Sequence, residues 1–148
     1  MRSLVLIVLM SFLSPAWSAE VVEAWMRAMP PGQPTAAAYL LLRNDSTAAR
    51  RVVGARSGQA QRVEFHESVE TAGRWRMRQL DSLTVPAQGE LAMQPGGVHL
   101  MLFDVERSLQ EGDSLDLVLE MDNGAELSVV VDVRPIEGDR PQQHHHHQ

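Results

Sequence analysis

An imidazole and a thioether stand two residues apart in the apolar run Val98-His99-Leu100-Met101-Leu102. Successive side chains on a β-strand point to opposite faces, so His99 and Met101 share one face while Val98, Leu100 and Leu102 share the other. Imidazole with thioether is a soft-to-borderline donor pair that suits copper, Cu(I) above all, better than magnesium or calcium. A second such pair lies upstream: His66 in the segment Arg62 to Ser68, and Met77 in the segment Arg74 to Leu80. The short connection between them contains Gly73 and has the length of a β-hairpin loop. If Val69 and Arg74 close a four-residue loop, His66 falls directly across from Met77, with Cβ atoms roughly 5 Å apart. A slip of one residue would oppose His66 to Arg76 and scatter the donors. Together the four side chains make a His2Met2 set for Cu(I), with zinc the main competing metal because imidazole serves both.

The elements that must position these residues read as strands. Short alternating runs rich in Val, Leu and Thr span Val21 to Ala28, Ala36 to Arg43, Arg51 to Arg56, Arg62 to Ser68, Arg74 to Leu80, Leu83 to Val85, Glu90 to Met93, Val98 to Val105, Leu115 to Met121 and Leu127 to Val133. Turn residues separate them, notably Pro30-Pro31-Gly32, Pro95-Gly96-Gly97 and Asp122-Asn123-Gly124. No long helical period intervenes, and about nine short strands at this spacing predict an all-β sandwich or barrel.

At 148 residues the chain has the size of a single domain. Met1-Arg2 followed by the apolar stretch to Leu13 has the length of a signal peptide and is short of the roughly 20 apolar residues of a spanning helix. The expected organisation is a leader over 1–18, cut after Ser18 or Ala19, a β domain over 20–135 and a polar, aperiodic tail over 136–148. The expected destination is the periplasm, with no membrane span after cleavage. Cysteine is absent, which excludes a thiolate blue-copper centre, a CxxC metallochaperone and a lipid-modified cysteine. All thirteen basic residues are arginine; without Arg2 the mature chain keeps twelve against nineteen acids, a balance that disfavours nucleic acid.

The four donors run His, ten residues, Met, twenty-one residues, His, one residue, Met. That spacing resembles the motif of the periplasmic copper chaperones of the PCu(A)C type. By this chain's own His and Met frequencies the pattern would arise by chance on the order of one time in a thousand. The surroundings are similar too: Glu64-Phe65-His66-Glu67, Met77-Arg78, Val85-Pro86, Gln94-Pro95-Gly96-Gly97-Val98-His99-Leu100-Met101, Glu111-Gly112-Asp113, Ala24-Trp25 and Tyr39. The likeness covers Val21 to Val133. It implies a cupredoxin-like β-barrel holding Cu(I) at an exposed site through His66, Met77, His99 and Met101. It also implies delivery to a copper-accepting protein, notably toward the dinuclear copper centre of cytochrome c oxidase.

Plainer readings stand beside these. Met26, Met29, Met93 and Met121 are expected in the core, where methionine fills irregular gaps. Trp75 shares a face with Met77, where it could shield the thioether or simply pack. Arg74, Arg76 and Arg78 take the opposite face, most simply as a solvated one, with docking to an acidic partner as the alternative. Glu64 and Glu67 flank His66, with Glu64 on its face; either could hydrogen-bond the ring, and plain solvation is the equal alternative. No nucleophile and base pair suggests an enzyme. The rival is a secreted β-sandwich for adhesion or partner binding, with its methionines in the core. The run His144-His145-His146-His147 has two plain readings, an appended tag and an unstructured tail, and a functional one: clustered imidazoles suit Cu(II) or Zn(II), which makes it a candidate auxiliary Cu(II) site. Deleting residues 141–148 is therefore expected to abolish Cu(II) binding in a titration and to spare Cu(I); equal Cu(II) affinity after deletion would dismiss the tail site.

Overall fold

The computed structural model describes residues 19–135. The expected leader and the tail histidines His144 to His147 lie outside them. Ten strands follow one another: β1 (Ala19–Arg27), β2 (Ala36–Asn44), β3 (Arg50–Arg56), β4 (Ala60–Thr71), β5 (Arg74–Leu80), β6 (Leu83–Val85), β7 (Gly89–Ala92), β8 (Val98–Val105), β9 (Ser114–Met121) and β10 (Glu126–Arg134). No helix occurs among the described residues, so none is long and apolar enough to cross a membrane. The all-β expectation of about nine short strands holds, each of the ten runs read from the sequence being a strand.

The strands form one sheet in the order β5-β4-β8-β2-β1-β10-β9-β3-β6, with β7 also on β2, and the path does not close into a ring. Strand β2 explains how one sheet folds into two layers. Its first residues, Ala36 to Ala38, pair with Leu102 to Leu100 of β8, and its last, Leu41 to Asn44, pair with Ala92 to Gly89 of β7. One edge of β2 thus serves two partners in succession, and the other lies on β1 from Ala38 to Asn44.

Alternation builds the core. Ala36, Ala38, Leu40 and Leu42 of β2, Leu100 and Leu102 of β8, Phe65 of β4, Leu115, Leu117 and Leu119 of β9, and Val129, Val131 and Val133 of β10 all point inward and are buried. Each large aliphatic side chain so enclosed contributes about 1.5–3 kcal/mol of burial free energy. Met26, Met29, Met93 and Met121 are buried among them, as expected of gap-filling methionine.

The β4–β5 hairpin departs from the expected register. Thr71 pairs with Arg74, so the loop is only Ala72-Gly73, and both residues have positive φ (51° and 73°), as a two-residue type I′ turn requires. Ladder pairing thereby continues two residues beyond Val69. Met77 lies opposite Ser68, and His66 opposite Gln79. The expected direct His66/Met77 opposition is therefore corrected to a diagonal one. A two-residue displacement preserves the face of every side chain, so Met77 still shares the His66 face. An L-residue other than glycine in the left-handed region costs roughly 1–2 kcal/mol, and asparagine bears it better than alanine. Ala72→Asn should accordingly raise the unfolding free energy by about 0.5–1 kcal/mol in urea denaturation; an unchanged or lower midpoint would mean that the turn does not hold this geometry in solution.

Candidate metal centre

Three strands bring the four donors to one sheet face. In the β4–β8 ladder His66 lies directly opposite His99, Glu64 opposite Met101 and Arg62 opposite Phe103. The two imidazole rings stand 6.1 Å apart, centroid to centroid, inclined at 46°. An ion held between two ring nitrogens would sit about 3.2 Å from each ring centre, from a metal–nitrogen bond of about 2.0–2.1 Å plus the ring radius, so this spacing admits one shared ion. Met101 follows His99 on the same face and is half-buried. Met77 sits diagonally from His66 on β5, where such neighbours are roughly 7–8 Å apart and within reach of a long side chain. At 59% exposure it lies at the outer rim.

The hydrogen bonds of the rings leave one nitrogen of each available. His99 Nδ1 lies 3.0 Å from the Gly97 carbonyl, which can only accept, so Nδ1 carries the proton and Nε2 presents its lone pair. His66 Nε2 lies 2.8 Å from a Glu64 carboxylate oxygen. The Glu64 carboxyl is held below the usual carboxylate range, chiefly by this hydrogen bond to His66, with Arg62 adding a further hydrogen bond and its charge. It is therefore the acceptor, and His66 Nδ1 is left with its lone pair. That Nδ1 is buried and has no hydrogen-bond partner. A buried polar atom without a partner costs about 1–3 kcal/mol, and a metal ion would relieve that cost here. Orientation of a ligand imidazole through its other ring nitrogen is the usual arrangement at metal sites.

Local sequence explains why the Gly97 carbonyl is in place. Gln94-Pro95-Gly96-Gly97 forms a turn closed by Gly97 N–H donating to the Gln94 carbonyl at 3.0 Å, with Gly96 at φ 81°. Proline followed by a positive-φ glycine is the pattern of a type II turn. The Gly97 carbonyl also accepts the Ser68 N–H at 3.1 Å, so one oxygen ties the start of β8 to β4 just past the end of their ladder.

An aromatic border surrounds the rings. Tyr39 stands 6.3 Å from His99 and 4.7 Å from Trp25, and Phe103 stands 6.1 Å from His66 under the Arg62 guanidinium. Sequence reading placed Tyr39 and Trp25 only in the family pattern and did not single out Phe103 or Gly97. The signal for Phe103 was available: it follows His99 and Met101 at the next same-face position of β8. Glu64, expected within reach of His66, is there. Trp75 shares the Met77 face of β5 at 65% exposure, and Arg74, Arg76 and Arg78 alternate with it. No group of three or more His, Asp or Glu side chains among the described residues is placed to hold a metal. Nitrogen-15 NMR of the neutral imidazoles at alkaline pH should show His99 as the Nδ1–H tautomer and His66 as the Nε2–H tautomer; the reverse at either ring would contradict this hydrogen-bond assignment.

Residues 19–133 match the family described as "Putative lipoprotein LpqE-like". A protein of Leifsonia xyli subsp. xyli, named "Putative lipoprotein Lxx21020", is 31% identical over 120 residues, covering 80% of this chain and 71% of that one. Among solved structures, apo-DR1885 from Deinococcus radiodurans superposes with a TM-score of 0.65 at 27% identity, over 95% of this chain and 94% of that one. The CuI form of DR1885 gives 0.62 at 29% identity, over 84% and 81%. The copper-bound PCuAC domain from PmoF2 gives 0.68 at 24% identity, over 80% and 93%, a likeness of fold. Ten strands without a helix, the matched family and these superpositions agree: the chain belongs to the LpqE-like family and is a PCuAC-type protein with a cupredoxin-like fold.

Proposed function

We propose that this chain is an exported, non-enzymatic copper carrier that binds one Cu(I) through His66, Met77, His99 and Met101 and passes it to a copper-accepting protein in the periplasm. The observation that carries the reading is the unpartnered Nδ1 of His66, on a ring directly opposite that of His99. Two neutral imidazoles and two thioethers bring no charge of their own, and their softness suits Cu(I) over harder ions. Support comes also from the relatives, since one solved form of DR1885 carries CuI by its description and the PmoF2 domain is described as copper-bound.

The distribution of methionine favours this reading over a partner-binding module with core methionines. Met26, Met29, Met93 and Met121 are at most 4% exposed, whereas Met77 is 59% exposed on an outer strand. A flexible apolar side chain at such a place gains little from packing, while as a thioether ligand it gains a bond. The resemblance to PCu(A)C chaperones extends the proposal to a recipient, the dinuclear copper centre of cytochrome c oxidase or its assembly factors. The tail histidines His144 to His147 extend it to an auxiliary Cu(II) site.

Anaerobic titration with Cu(I) against a competing chelator tests the site. One Cu(I) per chain is expected, and the double substitution His99→Ala plus Met101→Ala should abolish it. Met77→Leu, at an exposed position that does not endanger the fold, should weaken binding by about tenfold or more. Unchanged stoichiometry and affinity in both variants would refute the assignment.

A further inference from the structure

Strand β5 ends the sheet, and its outer edge has no strand partner among the described residues. Six of its seven residues are exposed, only Leu80 being partly covered. An unpaired edge is a template for another chain, and proteins normally protect it. Here the two faces of the edge differ. One carries Trp75 and Met77, the most exposed tryptophan and methionine of the described residues, side by side at 65% and 59%. The other carries Arg74, Arg76 and Arg78 in succession. Glu67 pairs with Arg78 at 2.6 Å, and the remaining nearby acid of the hairpin, Glu70, lies opposite Trp75 on the first face. Arg74 and Arg76 make no ion pair among the described residues. This basic stripe stands on a chain of formal net charge −6.

We propose that β5 is the docking edge for an acidic copper-accepting protein, with Trp75 as its apolar anchor and Met77 as the ligand exchanged first. The proposal rests on the carrier reading above and adds the surface and the chemistry of the partner. An exposed tryptophan next to the outermost donor is the side-chain type enriched among interface anchors, and a partner covering it would bury 150–250 Å² of ring, the usual range for an aromatic side chain. Charge selects the occupant. Two copies of β5 paired edge to edge would set Arg74, Arg76 and Arg78 against the same arginines, a repulsion that disfavours self-association. An acidic surface meets attraction instead, and such complementarity raises the rate of encounter.

Two synthetic acceptor peptides test this, carrying the same His/Met Cu(I)-binding segment flanked by glutamates in one and by lysines in the other. Stopped-flow transfer from the Cu(I)-loaded protein should be about tenfold faster to the acidic peptide at low ionic strength, and the difference should collapse near 1 M salt. Arg74→Glu plus Arg76→Glu should invert the preference. Trp75→Ala should slow transfer to the acidic peptide, and both variants should still bind one Cu(I) per chain, since all four proposed donors remain in place. An unchanged preference after charge reversal, with Cu(I) binding intact, overturns the docking edge and leaves the carrier reading standing. Failure of the wild-type chain to bind Cu(I) overturns the carrier reading itself and this proposal with it. A concentration-dependent dimer lost on Trp75→Ala, or sedimentation with phosphatidylglycerol vesicles lost on charge reversal, would assign β5 to a second copy or to a lipid surface and would equally overturn it.

Discussion

The β4–β8 ladder sets His66 against His99 and Glu64 against Met101 on one face, and Phe65 against Leu100 and Val63 against Leu102 on the other. These two sets are inseparable. Sliding β8 by one residue would turn His99 toward the core and expose Leu100 and Leu102, each wholly buried as the chain stands, and sliding β4 would do the same to His66 and the buried Phe65. The hydrophobic effect therefore fixes the register for its own reasons, and the donor geometry follows without being specified separately. Packing of aliphatic side chains is thus the force that holds two polar rings 6.1 Å apart.

How the protein treats buried polar atoms sharpens this view. Asn44 and His99 are its two buried polar side chains among the described residues. Asn44 satisfies itself fully: its amide donates to the carbonyls of Ala48, Val85 and Pro86, and its oxygen accepts from the backbone and hydroxyl of Ser46. His99 makes one hydrogen bond, to Gly97, and His66 leaves Nδ1 unpartnered. The chain can satisfy a buried polar group fully, as Asn44 shows, and does not do so at the His66 ring. Deficits of this kind are expected where function, and not stability, selects the residues.

Much of this was legible in the amino acids. Alternation and turn residues place the strands within a few residues of their observed ends, because each inward position must be apolar and each reversal needs glycine, proline or asparagine. The same-face placement of His99 and Met101 follows from the period of a strand alone. The hairpin register was not legible, and the reason is particular: Ala72 occupies a left-handed position for which alanine is a poor signal, so a four-residue loop looked more natural than the observed Ala72-Gly73 turn. Nor could periodicity show that β4 lies between β5 and β8, which makes the direct ring pair His66/His99 and not His66/Met77. Strand order is a property of the whole fold, settled by how all the apolar faces are covered at once. Glu64 and Phe103 lie on the site face by simple alternation, but that they touch His66 depends on that same order.

Exposure differs widely among the four donors. His99 is buried, the His66 side chain is 14% exposed, Met101 is half-buried and Met77 stands at the rim. For the proposed carrier this difference separates holding from releasing. The two imidazoles, oriented by Gly97 and Glu64, are fixed before any ion arrives, so little ordering cost falls on binding at the inner end. The thioether of Met77, on a long unbranched side chain at an open edge, can leave and be replaced by an incoming donor without disturbing the ladder behind it. Neither thiolate nor carboxylate is needed to hold the ion, so no charged ligand has to be stripped away on release. In the proposed carrier, a site rigid at its buried side and labile at its exposed side would exchange its ion at the β5 rim, in loading as in release.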